Sequence, residues 1–417
     1  MIQAFYQEEK IVLQETDTRF TFRARFSENL TELSLLVQGT EISRGEIVCD
    51  YLDKSSAKNS IKAEAYRLIS EFEGRLLPWG TLTGIRPTKI ATEHLENRVS
   101  DEDIIRDYEE TYLTTKNKGI ISLEVAKKEV EIYQNILFEE EYSIYIGIPF
   151  CPSTCLYCSF TSYPIGLYRD KVEAYIEALK KEFIYVANKY KNKRLTTIYV
   201  GGGTPSSLSA AELDKLITYI TTIFDITSLR EFTVEAGRPD SITREKLQVL
   251  KRHGVNRISI NPQTMKNDTL KLIGRGHSSE DTISAFTLAR ELGFTNINMD
   301  IIIGLPGEDI EDIRYTLEEI TILAPDSLTV HSLAIKRAAN LNIKMEEYRS
   351  LIKGSTNEMI DLVDSYARKL NLEPYYLYRQ KNIPGNLENI GYSTKGKECL
   401  YNILIMEEKM DIIAMGA

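Results

Sequence analysis

The stretch Ile148-Pro-Phe-Cys151-Pro-Ser-Thr-Cys155-Leu-Tyr-Cys158 places three of the five cysteines within eight residues, with the spacing C-x3-C-x2-C. Thiolates packed this closely in a loop suit a soft metal centre. Three ligands are too few to close a tetrahedral zinc site, whereas a [4Fe–4S] cluster takes one ligand at each of its four irons. The motif therefore predicts a catalytic [4Fe–4S] cluster, held by Cys151, Cys155 and Cys158, with one iron left open.

Two plainer interpretations of this loop stay open. Cysteines also occur as incidental small hydrophobic residues. A zinc site would need a ligand from elsewhere in the chain, and no histidine shows ligand spacing near the loop. The four histidines are His94, His253, His277 and His331.

Length and composition are typical of an intracellular globular enzyme. At 417 residues the chain exceeds the usual size of one core, so two or more domains are expected. No apolar run approaches the ~18 residues of a membrane span, and the N-terminus lacks a signal-peptide pattern. The net charge of −10, from 51 basic and 61 acidic residues, argues against nucleic acid as a partner. We expect a cytoplasmic protein, because a reducing compartment keeps clustered thiols available for metal.

Residues 1–139 are predicted to form an N-terminal α+β domain whose role the sequence does not reveal. Residues 20–26 alternate with the period of a strand, and residues 33–38 are a second strand candidate. The period becomes helical over 60–72. The turn-rich stretch 77–89 carries the only tryptophan and is interpreted either as a packed connector or as a contact to substrate or barrel.

From about residue 141, strands and helices alternate, which predicts a parallel sheet with crossover helices. Strands are predicted over 143–148, 197–200, 231–235, 257–260, 296–302 and 327–330, and helices over 172–189, 211–223, 244–252, 280–292 and 310–323. Six such units, rather than eight, predict an open partial (β/α)6 barrel over residues 140–340. Residues 341–417 are predicted to form a C-terminal α/β segment that covers the substrate. Because the chain stops in a strand-like run, this segment is expected to be incomplete.

Candidate site residues follow the ends of these strands. In such folds the working residues lie at the C-terminal ends of the strands, so these side chains are expected to meet one ligand. They are Cys151, the run Gly201-Gly-Gly-Thr-Pro205, Glu235, Gln263, Asp300 and Ala334. Three glycines let the backbone approach a ligand closely. Taken singly, the glycine run also fits a plain strand-to-helix turn, and each polar residue fits a surface or packing role.

The stretch from Tyr145 to Cys158, together with the glycine run, resembles the radical S-adenosylmethionine (SAM) enzymes. Within that superfamily the chain is most similar to the oxygen-independent coproporphyrinogen III oxidase group, and there to its HemZ branch. The similarity covers about residues 140–417. The cysteine spacing marks the superfamily. The group is marked by Pro149-Phe-Cys151, the glycine run and Tyr378-Arg-Gln-Lys-Asn382.

The resemblance implies roles for individual residues. One SAM would be bound at the cluster by Tyr145, Gly202 and Glu235. A second SAM, as in the oxidase, would be bound by Tyr157, Gly203, Thr204, Gln263, Arg275, Asp300 and Ala334. Carboxylates accept hydrogen bonds from amines and hydroxyls, and arginine pairs a carboxylate in two-pronged fashion. No catalytic acid or base is assigned.

The loop from Tyr378 to Tyr392 combines cations with aromatic residues. A porphyrinogen is a large apolar ring with carboxylate arms, so Arg379 and Lys381 are candidates to hold those arms while tyrosines cover the ring. The plain alternative is an exposed polar loop.

The activity that the resemblance implies is oxygen-independent decarboxylation of coproporphyrinogen III to protoporphyrinogen IX in haem biosynthesis. The reduced cluster would convert SAM into a 5′-deoxyadenosyl radical that attacks the propionate side chains. The tetrapyrrole is then the small-molecule substrate, and an electron donor such as flavodoxin or ferredoxin is implied. The protein positions the cofactors and excludes competing reactions.

Two positions depart from the oxidase pattern. Gly147 stands where the bacterial oxidase has a histidine, and Phe160 stands where it has a fourth cysteine. The Phe160 pattern also occurs in haem chaperones of the HemW type, although their His-Asn-x-x-Tyr-Trp motif is absent from this sequence. A haem chaperone on the same scaffold, or another radical SAM reaction such as methylation of a tetrapyrrole, therefore stays open.

Overall fold

The computed structural model describes residues 2–6, 11–12, 20–380 and 383–416. The chain divides into two compact units. One consists of Met1–Lys127 with Leu377–Glu388, and the other of Lys128–Tyr376 with Asn389–Ala417.

The return of Leu377–Glu388 to the first unit differs from the predicted division at residues 139 and 340. The fully buried Glu388 carboxylate accepts hydrogen bonds from Trp79 Nε1 at 2.7 Å and from Lys118 Nζ at 2.5 Å. Polar contacts between positions so distant in the sequence leave no periodic signal, so the pattern could not reveal them. The substrate-covering role predicted for residues 341–417 stays a prediction.

The first unit contains an antiparallel sheet in the order β1-β2-β3. Its strands are β1 (Phe20–Phe26), β2 (Leu30–Val37) and β3 (Thr40–Val48), and its helices are α1 (Ile2–Phe5), α2 (Lys54–Glu73), α3 (Lys89–Glu96), α4 (Asp101–Glu110) and the start of α5 (Lys116–Tyr133). Leu33 of β2 packs against Ala65 of α2, which covers the sheet. The N-cap Asp53 begins α2, and Gly74, with a left-handed φ of 63°, ends it. The predicted strands and the predicted helix of this region are confirmed, although the helix begins earlier.

The turn-rich stretch 77–89 is a packed connector within the first unit. Trp79 is completely buried, and the Lys118 ammonium lies 5.9 Å from the centre of its ring. These contacts account for the conformation of the stretch without a ligand.

The second unit alternates strands and helices as predicted. Its strands are β4 (Glu141–Ile148), β5 (Phe150–Cys151), β6 (Tyr163–Pro164), β7 (Arg194–Gly202), β8 (Glu231–Gly237), β9 (Arg257–Ile260), β10 (Ile297–Ile303), β11 (Ser327–Ser332), the first half of β12 (Glu373–Arg379), β13 (Glu388–Ser393) after its first residue, and β14 (Asp411–Met415). Its helices are α6 (Ile165–Tyr168), α7 (Val172–Lys189), α8 (Ala210–Ile223), α9 (Arg244–Arg252), α10 (Asn267–Leu272), α11 (Ser279–Glu291), α12 (Ile310–Leu323), α13 (Asn340–Ile343), α14 (Met345–Tyr348), α15 (Asn357–Lys369) and α16 (Leu400–Glu407). Each predicted strand and helix lies within a few residues of its observed counterpart. None of the described helices is both long and apolar enough to cross a membrane.

The large sheet is open, in the order β12-β13-β11-β10-β9-β8-β7-β4-β14. The six strands from β4 to β11 in this order are parallel neighbours, β14 joins β4 in parallel, and β13 joins β11 in the antiparallel sense. The prediction of a partial (β/α)6 barrel is therefore confirmed. Parallel strands place all their carboxyl ends on one rim, which is where the cysteine loop begins.

Side chains alternate between the two faces of these six strands. One face carries apolar side chains that are at most 1% exposed, namely Ile144, Ile198, Phe232, Ile258, Met299 and Leu328. The other face is polar, with Tyr145 beside Tyr199, Tyr199 beside Thr233, Glu235 beside Ser259 and Asp300 beside Thr329. Strands of a parallel sheet are usually apolar on both faces. The polar face therefore marks the side on which a ligand is expected.

We expect Gly391→Ala to destabilise the protein by about 1–3 kcal/mol, because an added Cβ would overlap the ring of Tyr376 and lie 3.0 Å from the ring of Tyr375. Chemical denaturation measures this change. The matched variant Gly166→Ala, whose added Cβ meets nothing within 4 Å, should leave the free energy of unfolding within about 1 kcal/mol of the wild type. Equal stabilities of the two variants would contradict the packing described for β13.

Candidate functional site

The chain leaves the large sheet at the end of β4, and the cysteine loop begins at β5, which forms a separate two-stranded sheet with β6. Cys151 pairs with Pro164 of β6 at one end of the loop. Leu156, between the second and third cysteines, donates its backbone N–H to the Ile273 carbonyl at 2.9 Å and packs in the same apolar cluster as Ile273. Cys151 and Cys155 are 8% exposed, and Cys158 is half-buried. The loop is therefore held in place while its sulfurs stay close to the surface of the rim.

All five cysteines are free thiols. In the described part of the chain no three histidine, cysteine or carboxylate side chains converge to hold a single metal ion. A zinc site needs that convergence. A [4Fe–4S] cluster does not, because each thiolate binds a different iron. The three thiols of one loop fit the cluster better than the zinc alternative.

The glycine run brings β7 against the cysteine loop. Gly202 has a left-handed φ of 105°, and Gly203 donates its N–H to the Ile148 carbonyl at 2.7 Å. A Cβ on Gly203 would lie 2.9 Å from Cys151 Sγ, and the Thr204 hydroxyl lies 3.4 Å from the same sulfur. The absence of side chains thus permits a close approach between two backbone segments, beside the first thiol.

Glu235 lies on the polar face, hydrogen-bonded to a neighbouring strand. The Tyr199 hydroxyl donates to Glu235 Oε1 at 2.6 Å. Burial raises the pKa of Glu235 to about 7, while the Tyr199 hydrogen bond lowers it and the charge of Asp300 raises it further. The rings of Tyr145, Tyr199 and Tyr401 pack together, with the Tyr199 ring centre 6.0 Å from that of Tyr145 and 4.4 Å from that of Tyr401. The arrangement holds a carboxylate in one orientation beside aromatic surface, which suits the amine or ribose of a nucleotide.

The residues expected at a second SAM form two connected pairs. Arg275 donates to the Tyr157 hydroxyl at 3.0 Å, and Gln263 donates its backbone N–H to the Asp300 carbonyl at 3.0 Å. Arg275 Nε and Gln263 Oε1 are buried and have no hydrogen-bond partner among the described residues. Ala334 is half-buried after β11 and offers no polar side-chain atom. Orphaned buried polar atoms are rare in native proteins and fit a missing ligand.

Several residues of the polar face and of the rim beside it were not among the predicted site residues. Tyr199, Arg238 and Ser259 were not predicted, although the strands that carry Tyr199 and Ser259 were. Alternation was the available signal, because polar residues recur at every second position in Thr197–Val200, Thr233–Glu235 and Arg257–Ile260. Like Gln263 Oε1, the side-chain oxygens of Thr233, Ser259 and Asn261 are buried and have no hydrogen-bond partner in the part of the chain that the structure describes. Strands β8 and β9 and the residues that follow β9 therefore carry a group of polar atoms that the described residues leave unpaired.

Arg379 has partners that differ from the predicted substrate carboxylate. Within the first unit its guanidinium is 3% exposed, donates to the carbonyls of Leu82 at 2.8 Å and Asn386 at 3.0 Å, and lies 5.3 Å from the centre of the Trp79 ring. Its third nitrogen, Nε, is buried and has no hydrogen-bond partner among the described residues. Two of its three nitrogens therefore have partners within the protein, and a role of Arg379 in holding a substrate carboxylate stays a prediction. Lys381 lies outside the described residues.

The two departures from the oxidase pattern have plain structural settings. The Gly147 carbonyl accepts a hydrogen bond from the Tyr175 hydroxyl at 2.5 Å, and a Cβ there would lie 3.0 Å from the Gly416 carbonyl. Phe160 is 67% exposed, with the Lys336 ammonium 5.4 Å from its ring centre. Neither change disturbs the three thiols.

A glycine-rich strand end set against a three-cysteine loop, on the rim of an open parallel sheet, is the architecture of a radical SAM domain. The family model described as the radical SAM superfamily matches residues 145–320. An oxygen-independent coproporphyrinogen-III oxidase-like protein, HemZ of Bacillus subtilis, is 43% identical over 86% of this chain and 72% of its own. The chain therefore belongs to the radical SAM superfamily, in the group that contains the HemN-type coproporphyrinogen oxidases and HemZ.

Two further similarities delimit this assignment. The heme chaperone HemW of Bacillus subtilis is 41% identical over 46% of this chain and 51% of its own length. The solved structure of coproporphyrinogen III oxidase, HemN, from Escherichia coli matches with a TM-score of 0.53 at 21% identity, over 69% of this chain and 66% of that one. That likeness supports the fold.

We expect Gly203→Ala to lower the iron bound per chain several-fold after anaerobic reconstitution, because the new Cβ would push against Cys151 Sγ and lie 2.7 Å from the Phe150 carbonyl. Colorimetric iron analysis measures this loss. The control Gly84→Ala, where nothing lies within 4 Å of the added Cβ, should keep the wild-type iron content. Full iron in Gly203→Ala would show that the glycine run does not constrain the cysteine loop.

Glu235 also predicts a pH dependence of stability in the metal-free protein. The folded state keeps a proton on this carboxyl up to about pH 7, whereas the unfolded chain releases it near its ordinary pKa of 4.5. The folded state therefore binds more protons between these values, and the free energy of unfolding falls as the pH rises through this window. Glu235→Gln should reduce this fall by on the order of 1 kcal/mol.

Denaturation at pH 5 and pH 8 measures the difference. Part of the pH dependence should remain in the variant, because burial also raises the pKa of Glu308 to about 7. Glu346→Gln, at an exposed position, is the control and should change nothing. An unaltered pH dependence in Glu235→Gln would mean that this carboxyl is ionised throughout.

Proposed function

We propose that this protein is a radical SAM enzyme that decarboxylates propionate side chains of coproporphyrinogen III, giving protoporphyrinogen IX without oxygen. The observation that carries the proposal is a pair of buried atoms without a partner among the described residues, Gln263 Oε1 and Nε of Arg275, the arginine that donates to Tyr157 of the cysteine loop. These two atoms can form hydrogen bonds to a second ligand in addition to the SAM at the cluster, as expected for an oxidase that uses two SAM molecules. Similarity to an oxidase-like protein over most of the chain supports the substrate class.

Each residue of the rim then has a task in this proposal. The thiolates of Cys151, Cys155 and Cys158 hold the [4Fe–4S] cluster. When bound, the reduced cluster and SAM supply one-electron chemistry that removes a hydrogen atom from carbon. Gly202 and Glu235 present a backbone carbonyl and a carboxylate to the amine and ribose of the first SAM.

The second SAM is proposed to lie between Tyr157, Gln263 and Arg275. The Arg275 guanidinium would pair with the carboxylate of this second SAM. Tyr157, fixed by the hydrogen bond that it accepts from Arg275, would limit where the second SAM can lie. The backbone of Gly203 and Thr204, with Asp300 and Ala334, would border the same space. A flavodoxin or ferredoxin is proposed as the electron donor, and the cytoplasm as the location, because the cluster requires reducing conditions.

Haem trafficking on the same scaffold is the second candidate. Phe160 replaces the fourth cysteine of the oxidase motif, and the chain is 41% identical to a heme chaperone over 46% of its length. A chaperone would bind haem and show no turnover of coproporphyrinogen.

The deciding experiment incubates the reconstituted protein with coproporphyrinogen III, SAM and dithionite without oxygen, and identifies the products by mass spectrometry. We expect protoporphyrinogen IX, methionine and 5′-deoxyadenosine from the wild type, and none of them from Cys155→Ser. Cys49→Ser, which alters a buried thiol of the first unit, is the control and should keep activity.

Other outcomes would overturn the proposal. Stoichiometric haem binding without porphyrin products would favour the chaperone. A tetrapyrrole product heavier by methyl groups would identify a methyltransferase instead.

A further inference from the structure

Arg238 is a buried cation that the functions assigned so far do not use. It follows the carboxyl end of β8 and is only 4% exposed. A buried guanidinium is costly unless its charge is paired and its donors are satisfied. Its Nε and one terminal nitrogen donate to the two carboxylate oxygens of Asp240, at 3.0 and 2.7 Å. This two-pronged pairing fixes the plane of the guanidinium.

The remaining nitrogen of Arg238 points into the cysteine loop. Its Nη1 donates to the Ser153 hydroxyl at 2.8 Å and the Ser153 carbonyl at 3.1 Å, and it lies 3.7 Å from Cys155 Sγ within hydrogen-bond geometry. Ser153 lies between the first two cysteines, and its hydroxyl in turn donates to the Gly274 carbonyl at 3.2 Å. Nη1 of Arg238 therefore contacts both the backbone of the cysteine loop and a thiol that is expected to bind iron.

The surroundings favour a positive field at this sulfur. Burial opposes ionisation of Asp240, but the hydrogen bonds from Arg238 lower the pKa of its carboxyl, so it carries one negative charge. Arg275 adds a second buried guanidinium next to the loop. Burial lowers the pKa of His277, 4.0 Å from Asp240, to about 4, so this imidazole is neutral at pH 7. Two cations against one anion leave one net positive charge.

The Arg238–Asp240 pair is closely packed against the backbone at Gly276. A Cβ on Gly276 would lie 2.8 Å from an Asp240 carboxylate oxygen and 3.3 Å from Arg238 Nη2. The pair occupies the space that a side chain at position 276 would need. By contrast, the donor to Cys151 is the neutral hydroxyl of Thr204.

We propose that Arg238 raises the reduction potential of the cluster by donating a charge-assisted hydrogen bond to the sulfur of Cys155. Adding an electron makes the cluster more negative, and hydrogen bonds and positive charge at its sulfurs stabilise that state. Arg238 is thus a positioning and tuning residue, which acts through a ligand and does not touch the substrate. The inference concerns only the cluster and does not depend on the tetrapyrrole as substrate.

The test compares wild type, Arg238→Gln and Arg238→Lys after anaerobic reconstitution. Iron per chain is measured first, and the midpoint potential is then determined by redox titration followed by electron paramagnetic resonance (EPR). Arg238→Gln should reduce the equilibrium constant for reduction about ten-fold or more, a shift of about 59 mV to more negative potential for a one-electron couple. Arg238→Lys keeps the charge but cannot form the same fork, so its shift should be smaller and of the same sign.

Arg290→Gln is the matched control. It removes another arginine paired with an aspartate, in this case Asp326 at 2.6 Å, at the opposite end of the same sheet. Its potential should equal that of the wild type. An equal shift in Arg290→Gln would mean that the effect follows net charge alone and would overturn the proposal.

The remaining outcomes are also decisive. An unchanged potential in Arg238→Gln with full iron content would overturn the tuning role. Loss of the cluster from both Arg238 variants, with the fold retained, would make Arg238 a structural clamp of the loop and would equally overturn it. A wild type that binds no cluster would overturn both this proposal and the proposed function, whereas a tuned cluster without turnover of coproporphyrinogen would contradict the proposed function alone.

Discussion

Alternation of side chains along six parallel strands is the constraint on which this site depends. Ile144, Ile198 and Phe232 lie on the apolar face, and each is at most 1% exposed. Burying such a side chain stabilises the fold by about 1.5–3 kcal/mol. The opposite face carries Glu235 and Ser259 in register, where an unpaired buried polar group costs about 1–3 kcal/mol. The stabilisation from the apolar face thus offsets the cost of burying unpaired polar groups on the opposite face.

The open sheet and the cysteine loop depend on each other. Because the strands are parallel, β4 and β7 end side by side, and the loop after β4 meets the glycine run after β7. The loop would otherwise be a surface segment with exposed thiols. It is anchored instead by hydrogen bonds. The Ile273 carbonyl accepts from Leu156, the Gly203 N–H donates to the Ile148 carbonyl just before the loop, and the guanidinium groups of Arg238 and Arg275 donate to Cys155 and Tyr157. The same rim therefore supplies the thiols, the carboxylate and the cations.

Sequence patterns predicted the elements of the second unit well because strand and helix periods are local properties. The predicted helices over 172–189 and 310–323 coincide with Val172–Lys189 and Ile310–Leu323 of the structure, and the six predicted strands lie within a few residues of the observed ones. The open barrel then follows from counting units. The cysteine loop and the glycine run were visible because their chemistry is concentrated in a few adjacent residues.

What the sequence could not reveal involves pairs of residues far apart along the chain. No sequence pattern singles out Arg238, and only the fold places its Nη1 3.7 Å from Cys155 Sγ. Arg379 was interpreted as a substrate ligand because cations and tyrosines surround it in the sequence. In the structure its two terminal nitrogens donate to backbone carbonyls of its own unit, which the sequence could not indicate. The return of Leu377–Glu388 to the first unit, through Trp79 and Glu388, is a contact of the same long-range kind.

The central claim is that three thiolates hold a four-iron cluster whose fourth iron is open to SAM. The most direct test is the EPR spectrum of the reduced, reconstituted protein before and after addition of SAM, with iron and sulfide determined on the same sample. We predict about four irons per chain for a [4Fe–4S] cluster, and a spectrum that changes when SAM is added. A chain that binds zinc or no iron, or a cluster whose spectrum is indifferent to SAM, would contradict the account.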